Sequence, residues 1–162
     1  MSSEGIYIIT DEKGIGKTTS LQNWVKNNPK VSGVLSPIVN GKRMFQIIES
    51  KTFIPMEAGE TTLKVGKYAF NKESFDVAVK AILDTISNKS ASFIIVDEIG
   101  PLEIRQNLGF HHLLIRLFNQ KFIEYSTFIF VVRKSCLDEF LSKYKIKNPN
   151  VLSLEAFKLK FL

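Results

Sequence analysis

Short, continuously apolar segments alternate with segments of helical periodicity, and this alternation predicts an α/β fold: a mainly parallel sheet with helices on both faces. Three observations carry it. IYII, FIIV and TFIFVV are uniformly apolar, as strands covered on both faces are. Between them, apolar residues recur at helical spacing, as in Phe75, Val79, Ile82, Leu83 and Ile86. A glycine loop and an acidic pair stand just past two of these strands, where open α/β sheets bind ligands.

In chain order, the strand at Ile6–Ile9 ends at Thr10, and DEKGIGKTTS leads into TTSLQNWVKNN, where Leu21, Trp24 and Val25 form a helical face. VSGVLSPIV and KRMFQIIES are β-rich runs joined at Asn40-Gly41, a strong hairpin signal. TFIPMEA and TTLKVGKYAF continue the strand-and-turn style, with Pro55, Gly59 and Gly66 as breaks. The stretch 34–70 therefore adds hairpin strands at one side of the sheet. A helix from Lys72 to about Asn88 precedes the buried strand FIIV, which runs into DEIGPLE. Phe110, Leu113, Leu114, Leu117 and Phe118 mark the next helix, TFIFVV the next strand, SCLDEFLSKY a short helix, and 151–154 a last strand.

At 162 residues, 44% hydrophobic and 23% charged, residues 1–162 suit a single domain with a core large enough to fold unaided. No apolar run is long enough to span a membrane, and MSSEGIYIIT lacks the pattern of a secretory signal, so a cytoplasmic monomer without membrane attachment is expected. A single cysteine, Cys136, excludes an internal disulfide. The net charge of +6 suits nucleic acid or a phosphorylated small molecule. The C-terminal lysines are scattered without stacking aromatics, so nucleic acid is possible as a partner but not favoured. His111 and His112 are adjacent on a helix and face different directions, which makes them core or surface histidines, not a metal pair.

A loop between a buried strand and a helix can wrap phosphate, because backbone amides point into its concavity and the helix terminus adds positive potential. Gly14 and Gly16 permit close approach, Lys17 reaches the β and γ phosphates, Thr18 offers its hydroxyl to Mg²⁺, and Thr19 lies near the α phosphate. The plainer alternative is a glycine turn before a threonine-capped helix. In FIIVDEIGP, Asp97 can hold the metal and Glu98 can polarise a water for attack on the γ phosphate. Here the plainer alternative is a helix-capping acidic pair on the surface.

ITDEKGIGKTT, NGKRMF, VGKYAF and VDEIGPLE occur in the order and approximate spacing of the P-loop nucleoside-triphosphatase family that includes human cancer-related nucleoside triphosphatase, and the chain resembles it over most of its length. The resemblance implies a RecA-like P-loop fold and Mg²⁺-dependent hydrolysis of several nucleoside triphosphates, with low base specificity. Carried over by position, it implies a nucleotide-binding set of Asp11, Glu12, Lys13, Gly14, Ile15, Gly16, Lys17, Thr18, Thr19 and Arg43. Thr18 and Asp97 would hold the metal, and Glu98 and Lys17 would be catalytic. Arg43 either reaches a phosphate or pairs on the surface, Lys67 is open in the same way, and Glu103 either orients a loop beside the metal or caps the following segment.

Two segments depart from the family pattern. The loop usually opens with glycine and carries a proline, where this chain has Asp11, Glu12 and Lys13; an expected His-Arg pair is Val132-Arg133 here. Aspartate tolerates left-handed backbone angles, so Asp11 need not break the turn. Its charge is the harder matter: about 6 Å from a phosphate charge it would cost roughly 3 kcal/mol, or about a hundredfold in affinity. Rotation into solvent or pairing with Lys13 would remove much of that. A nucleotide or small-molecule kinase on the same scaffold, and a nucleotide sensor or nucleic-acid-associated protein with weak turnover, are the competing functions.

Overall fold

The computed structural model describes residues 5–57, 62–65, 68–120 and 125–162, with backbone alone at 62–65 and 68. Gly66 and Lys67 of the VGKY segment, and Gly59, lie outside the described residues.

Five strands run parallel: β1 (Ile6–Ile9), β2 (Val31–Leu35), β8 (Phe93–Ile99), β9 (Thr127–Val132) and β10 (Asn150–Leu152). With β3 (Ile38–Val39) and β4 (Lys42–Ile47) they form the order β10-β1-β9-β8-β2-β4-β3, and β5 (Thr52–Pro55) also pairs with β4. At one edge β4 runs antiparallel to β2, β3 and β5, which is where the 34–70 stretch was expected to add hairpins. VSGVLSPIV, however, is two strands. Proline lacks an N–H for the ladder, and the chain breaks at Ser36-Pro37 between β2, inside the sheet, and β3, at its edge. Asn40 (φ 51°) and Gly41 (φ 74°) then make the tight β3–β4 turn. A separate hairpin joins β6 (Thr62–Val65) to β7 (Tyr68–Asn71).

The apolar strands are covered on both faces, and their residues divide by parity. Phe128, Phe130 and Val132 of β9 enter one core with Ile94, Val96 and Val34; Ile129 and Val131 enter the other with Ile95 and Leu35. The first core is closed by α2 (Lys72–Asn88), α3 (Pro101–Gln106), α4 (His111–Asn119) and α5 (Leu137–Lys143). The second is closed by α1 (Lys17–Lys26), through Leu21 and Trp24, and by α6 (Leu154–Phe161), through Phe157. Trp24 meets Phe93 and Phe157 edge to face at 5.2 and 5.3 Å, and full burial of a side chain such as Phe157 contributes about 1.5–3 kcal/mol. Among the described residues no helix is long and apolar enough to cross a membrane.

Two helices were not expected. The apolar pattern of α6 is confined to Leu154, Phe157 and Phe161 near the end of the chain, and 151–154, read as strand, is divided: Ser153 caps α6, its hydroxyl accepting from Ala156 N–H at 3.1 Å. The other, α3, is too short to show a period. Pro101 occupies its first turn, and Glu103 reaches back to accept from Gly100 N–H (3.0 Å) and onward to accept from Phe110 N–H (3.2 Å). Glu103 thus caps α3 and also ties down the segment that follows Glu98. Burial pushes its carboxyl up to about 7 against those two bonds.

The pairing of β2 with β8 leaves no room for a side chain at position 33. A Cβ on Gly33 would stand 2.1 Å from the carbonyl oxygen of Ile95, and Gly33 has φ +110°. Gly33→Ala is therefore expected to lower unfolding free energy by more than ~2 kcal/mol, read from the urea midpoint; an unchanged midpoint would show that β2 and β8 separate freely. For Glu103, folding raises the carboxyl from an ordinary 4.5 to about 7, so the folded state holds the proton across that window and stability falls as pH rises through it. The loss of stability from about pH 5 to about pH 7.5 should be smaller in Glu103→Gln than in wild type by on the order of 3 kcal/mol. Equal losses in the two proteins would place the titration elsewhere.

Candidate active site: the glycine loop and the acidic bulge

The loop between β1 and α1 uses positive φ at Gly14 (80°) and Gly16 (95°), and Gly16 starts α1. The first turn of α1 contains no acidic residue and no side-chain cap, so its leading N–H groups and positive potential face the loop. Lys17 lies over the same loop, its Nζ donating to the carbonyls of Glu12 (2.7 Å) and Asp11 (3.1 Å). Lys13, Gly14, Ile15 and Thr19 are exposed. Glu12 pairs with Lys134 at 2.6 Å, linking the loop to the 3-10 turn Lys134–Cys136 after β9.

Asp11, in the place of the opening glycine, has both carboxylate oxygens bonded to backbone N–H groups. One oxygen accepts from Glu12 N–H at 2.8 Å and the other from Leu154 N–H at 3.1 Å, at the start of α6. These two backbone bonds, foremost that from Glu12, hold the carboxyl below its usual range.

The acidic pair sits on an irregularity of β8. From Val96 to Ile99 this strand advances three residues while β9 advances two, from Phe130 to Val132, so one residue of β8 is extra. Glu98 takes up the difference with φ 65°, a left-handed value that costs about 1–2 kcal/mol for a residue with a side chain. In a regular strand Ile99 would share the face of Ile95; the bulge returns it to the core of Val96.

Asp97 is fully buried, which excludes a surface capping pair. One of its oxygens, Oδ2, accepts from Thr18 Oγ1 (2.8 Å) and from Ser36 N–H (3.0 Å). The other, Oδ1, has no hydrogen-bond partner, like Thr10 Oγ1 and Ser36 Oγ among the described residues. Burial, followed by the neighbouring charge of Glu98, pushes the Asp97 carboxyl up to about 6. Leaving a buried carboxylate oxygen unmatched costs about 1–3 kcal/mol or more, a cost that a hard cation removes. Thr18 and Asp97 therefore fit one edge of a Mg²⁺ shell. Among the described residues no group of three His, Cys, Asp or Glu could hold a metal by itself, so water and a ligand's oxygens would complete that shell.

Glu98 is differently placed. Burial raises its carboxyl, but the hydrogen bonds and charges of Arg43 and Arg133 together outweigh this and leave it below the usual range. Arg43 Nη1 is 2.8 Å, and Arg133 Nη2 3.1 Å, from Glu98 Oε1, and Arg43 also has Glu57 at 3.8 Å. The structure thus brings Thr18, Asp97, Glu98, Arg43 and Arg133 into one linked group. Ser36 was not singled out in the sequence; its one signal is a Ser-Pro step directly after a buried run. His111 is a buried structural residue, its Nδ1 bonded to Tyr144 Oη at 2.9 Å.

Comparison with known proteins bears on the family and the fold. The signature of the family described as NTPase matches residues 6–156. Curated relatives include nucleoside-triphosphatase THEP1 of Saccharolobus solfataricus, 33% identical over 108 residues, covering 60% of this chain and 61% of that protein. Another is nucleoside-triphosphatase THEP1 of Methanocaldococcus jannaschii, 37% identical over 108 residues, covering 60% and 62%. The chain thus spans about three fifths of the length of these relatives. The crystal structure of THEP1 from the hyperthermophile Aquifex aeolicus superposes with a TM-score of 0.72 over 97% of this chain and 96% of that one, at 17% identity, a likeness of fold. With the signature running from β1 into α6 across the glycine loop and the acidic bulge, this chain belongs to the NTPase family.

Proposed function

We propose that the chain hydrolyses nucleoside triphosphates to diphosphate and phosphate in a Mg²⁺-dependent reaction with little base preference. The observation that carries this reading is the bond from Thr18 Oγ1 to Asp97 Oδ2, with Asp97 Oδ1 left unmatched beside it. It joins the phosphate loop to the acidic bulge, and the unmatched oxygen beside it supports a bound cation there. The relatives' name, nucleoside-triphosphatase, supports the reaction class.

Each residue has a distinct task in this reaction. The loop amides at Gly14 to Lys17 hold the phosphates, and the Lys17 ammonium exchanges its two loop carbonyls for β and γ oxygens. Asp11, Glu12, Lys13, Ile15 and Thr19 complete the walls of the loop, Asp11 as a strut to α6 that keeps its carboxylate off the phosphate path. Thr18 and Asp97 would hold Mg²⁺, which when bound neutralises charge on the β and γ oxygens. Glu98 takes the proton of the attacking water, while Arg43 and Arg133 supply positive charge next to it.

Phosphate release measured with ATP, GTP, CTP and UTP, with and without Mg²⁺, tests the reading. Release from all four that requires Mg²⁺ is expected, and added RNA or DNA should not change it. Binding without release would instead make the chain a sensor, and release only with an acceptor would make it a kinase. Glu98→Gln is expected to lower turnover at least about a hundredfold. Lys17→Ala should instead abolish nucleotide binding. Asp11→Gly, which restores the glycine of the usual loop, should leave Mg-ATP affinity within about threefold of wild type and lower Tm, because the α6 tie is lost. A hundredfold gain in affinity would mean that the carboxylate faces the phosphates after all.

A further inference from the structure

Arg43 and Arg133 reach the same oxygen of Glu98 from opposite sides. Arg43 comes from β4, two strands away on one side of β8; Arg133 follows β9, the neighbour on the other side, and its N–H bonds to Ile99 O at 3.0 Å. The Arg43 pair is largely withdrawn from solvent, Arg43 at 15% and Glu98 at 27% side-chain exposure, so screening weakens it little, while Arg133 at 35% is more open to screening. A carboxylate oxygen that accepts from two guanidinium groups has little capacity left to take a proton from water. The arrangement is thus poorly suited to the chemistry assigned to Glu98, and the strained backbone at φ 65° marks it as an imposed position.

We propose that Arg43 and Arg133 hold Glu98 in a parked state when no nucleotide is bound, and that an arriving γ-phosphate takes both arginines over and so frees the carboxylate. The inference rests on the phosphate-loop reading above. The exchange follows from the acceptors on offer. Glu98 presents both arginines with the single atom Oε1, whereas a γ-phosphate presents three oxygens and more charge, which the fork of a guanidinium matches better. Space for the movement lies beside the group, in a cleft lined by Glu98, Arg133, Gly100, Pro101, Phe45 and Met56. A diphosphate lacks the γ group and leaves the clamp closed, so the base is released only when there is a bond to cleave. Arg43 and Arg133 are positioning residues in this scheme, acting through Glu98 before they act on phosphate.

Affinity for Mg²⁺ and the β,γ-imido analogue of ATP, which is not hydrolysed, tests the exchange without relying on turnover. Calorimetric titration would compare wild type, Glu98→Gln, Arg133→Ala and the double variant, each first shown to melt cooperatively. Arg133 is the more exposed of the two arginines, and its removal leaves Arg43 to support the fold. Glu98→Gln should tighten binding about tenfold in the wild-type background, equivalent to ~1.4 kcal/mol, because the arginines no longer have to leave a carboxylate. In the Arg133→Ala background the same change should tighten it less than about threefold. A gain that is equal or larger without Arg133 would show plain repulsion between Glu98 and the γ-phosphate and overturn the proposal; so would no gain in either background. A wild type that binds the analogue but releases no phosphate would sink the hydrolase reading, while the same four affinities would still decide for or against the clamp.

Discussion

The bond between Thr18 and Asp97 is the constraint on which the arrangement of this molecule depends. It connects the first turn of α1 to β8 across 79 positions of sequence, at a fully buried carboxylate. A charged group there is tolerable only because several elements converge on it. The N–H of Ser36 arrives because β2 runs parallel to β8 and ends one residue earlier, and β2 lies close enough because position 33 has no side chain. The parallel order of the sheet therefore serves the acid as much as the core: with β2 elsewhere, Asp97 would lose a donor and gain nothing.

The bulge then separates two carboxylates that a short acidic pair would otherwise leave alike. Asp97, among apolar neighbours and next to another negative charge, is pushed towards its neutral form; Glu98, one residue on, is held ionised by two arginines. Adjacent acids driven apart in this way are suited to different tasks, one to accept a cation and one to act as a base. Glu103, capping α3 from below, fixes Gly100 and so limits how far the chain around Glu98 can relax. The strain stored at Glu98 is modest, but nothing in the core of β8 would produce it without the extra residue.

Much of this was legible in the sequence, and the limits have physical causes. The buried strands and α2 declared themselves because uniform apolarity and a stripe of about three turns are long signals, and Asn40-Gly41 because few residue pairs accept two positive φ values. The loop and the acidic pair were visible because glycine, lysine and adjacent carboxylates past a strand are chemically unusual. What escaped was either too short to show a period, as with α3 and α6, or purely tertiary. No sequence pattern announces that Ser36 will donate to Asp97, or that Arg43 and Arg133 will meet on one oxygen, since each contact is set by strand order.

Asp11 shows how a departure from a motif can have a structural reason. A glycine at the opening of a phosphate loop is favoured where a side chain would crowd or repel the ligand. Here each of its two oxygens accepts from a backbone N–H, one from Glu12 and one from Leu154. The aspartate thereby performs for α6 what an N-terminal cap performs within a helix, from 143 positions away. Because α6 also buries Phe157 against Trp24 of α1, the loop is braced at both ends by one assembly: its entrance through Asp11, its exit through α1. A rigid entrance suits a loop whose lysine already rests on its own carbonyls, since phosphate then has only to exchange acceptors for Lys17, not to order the backbone that presents it.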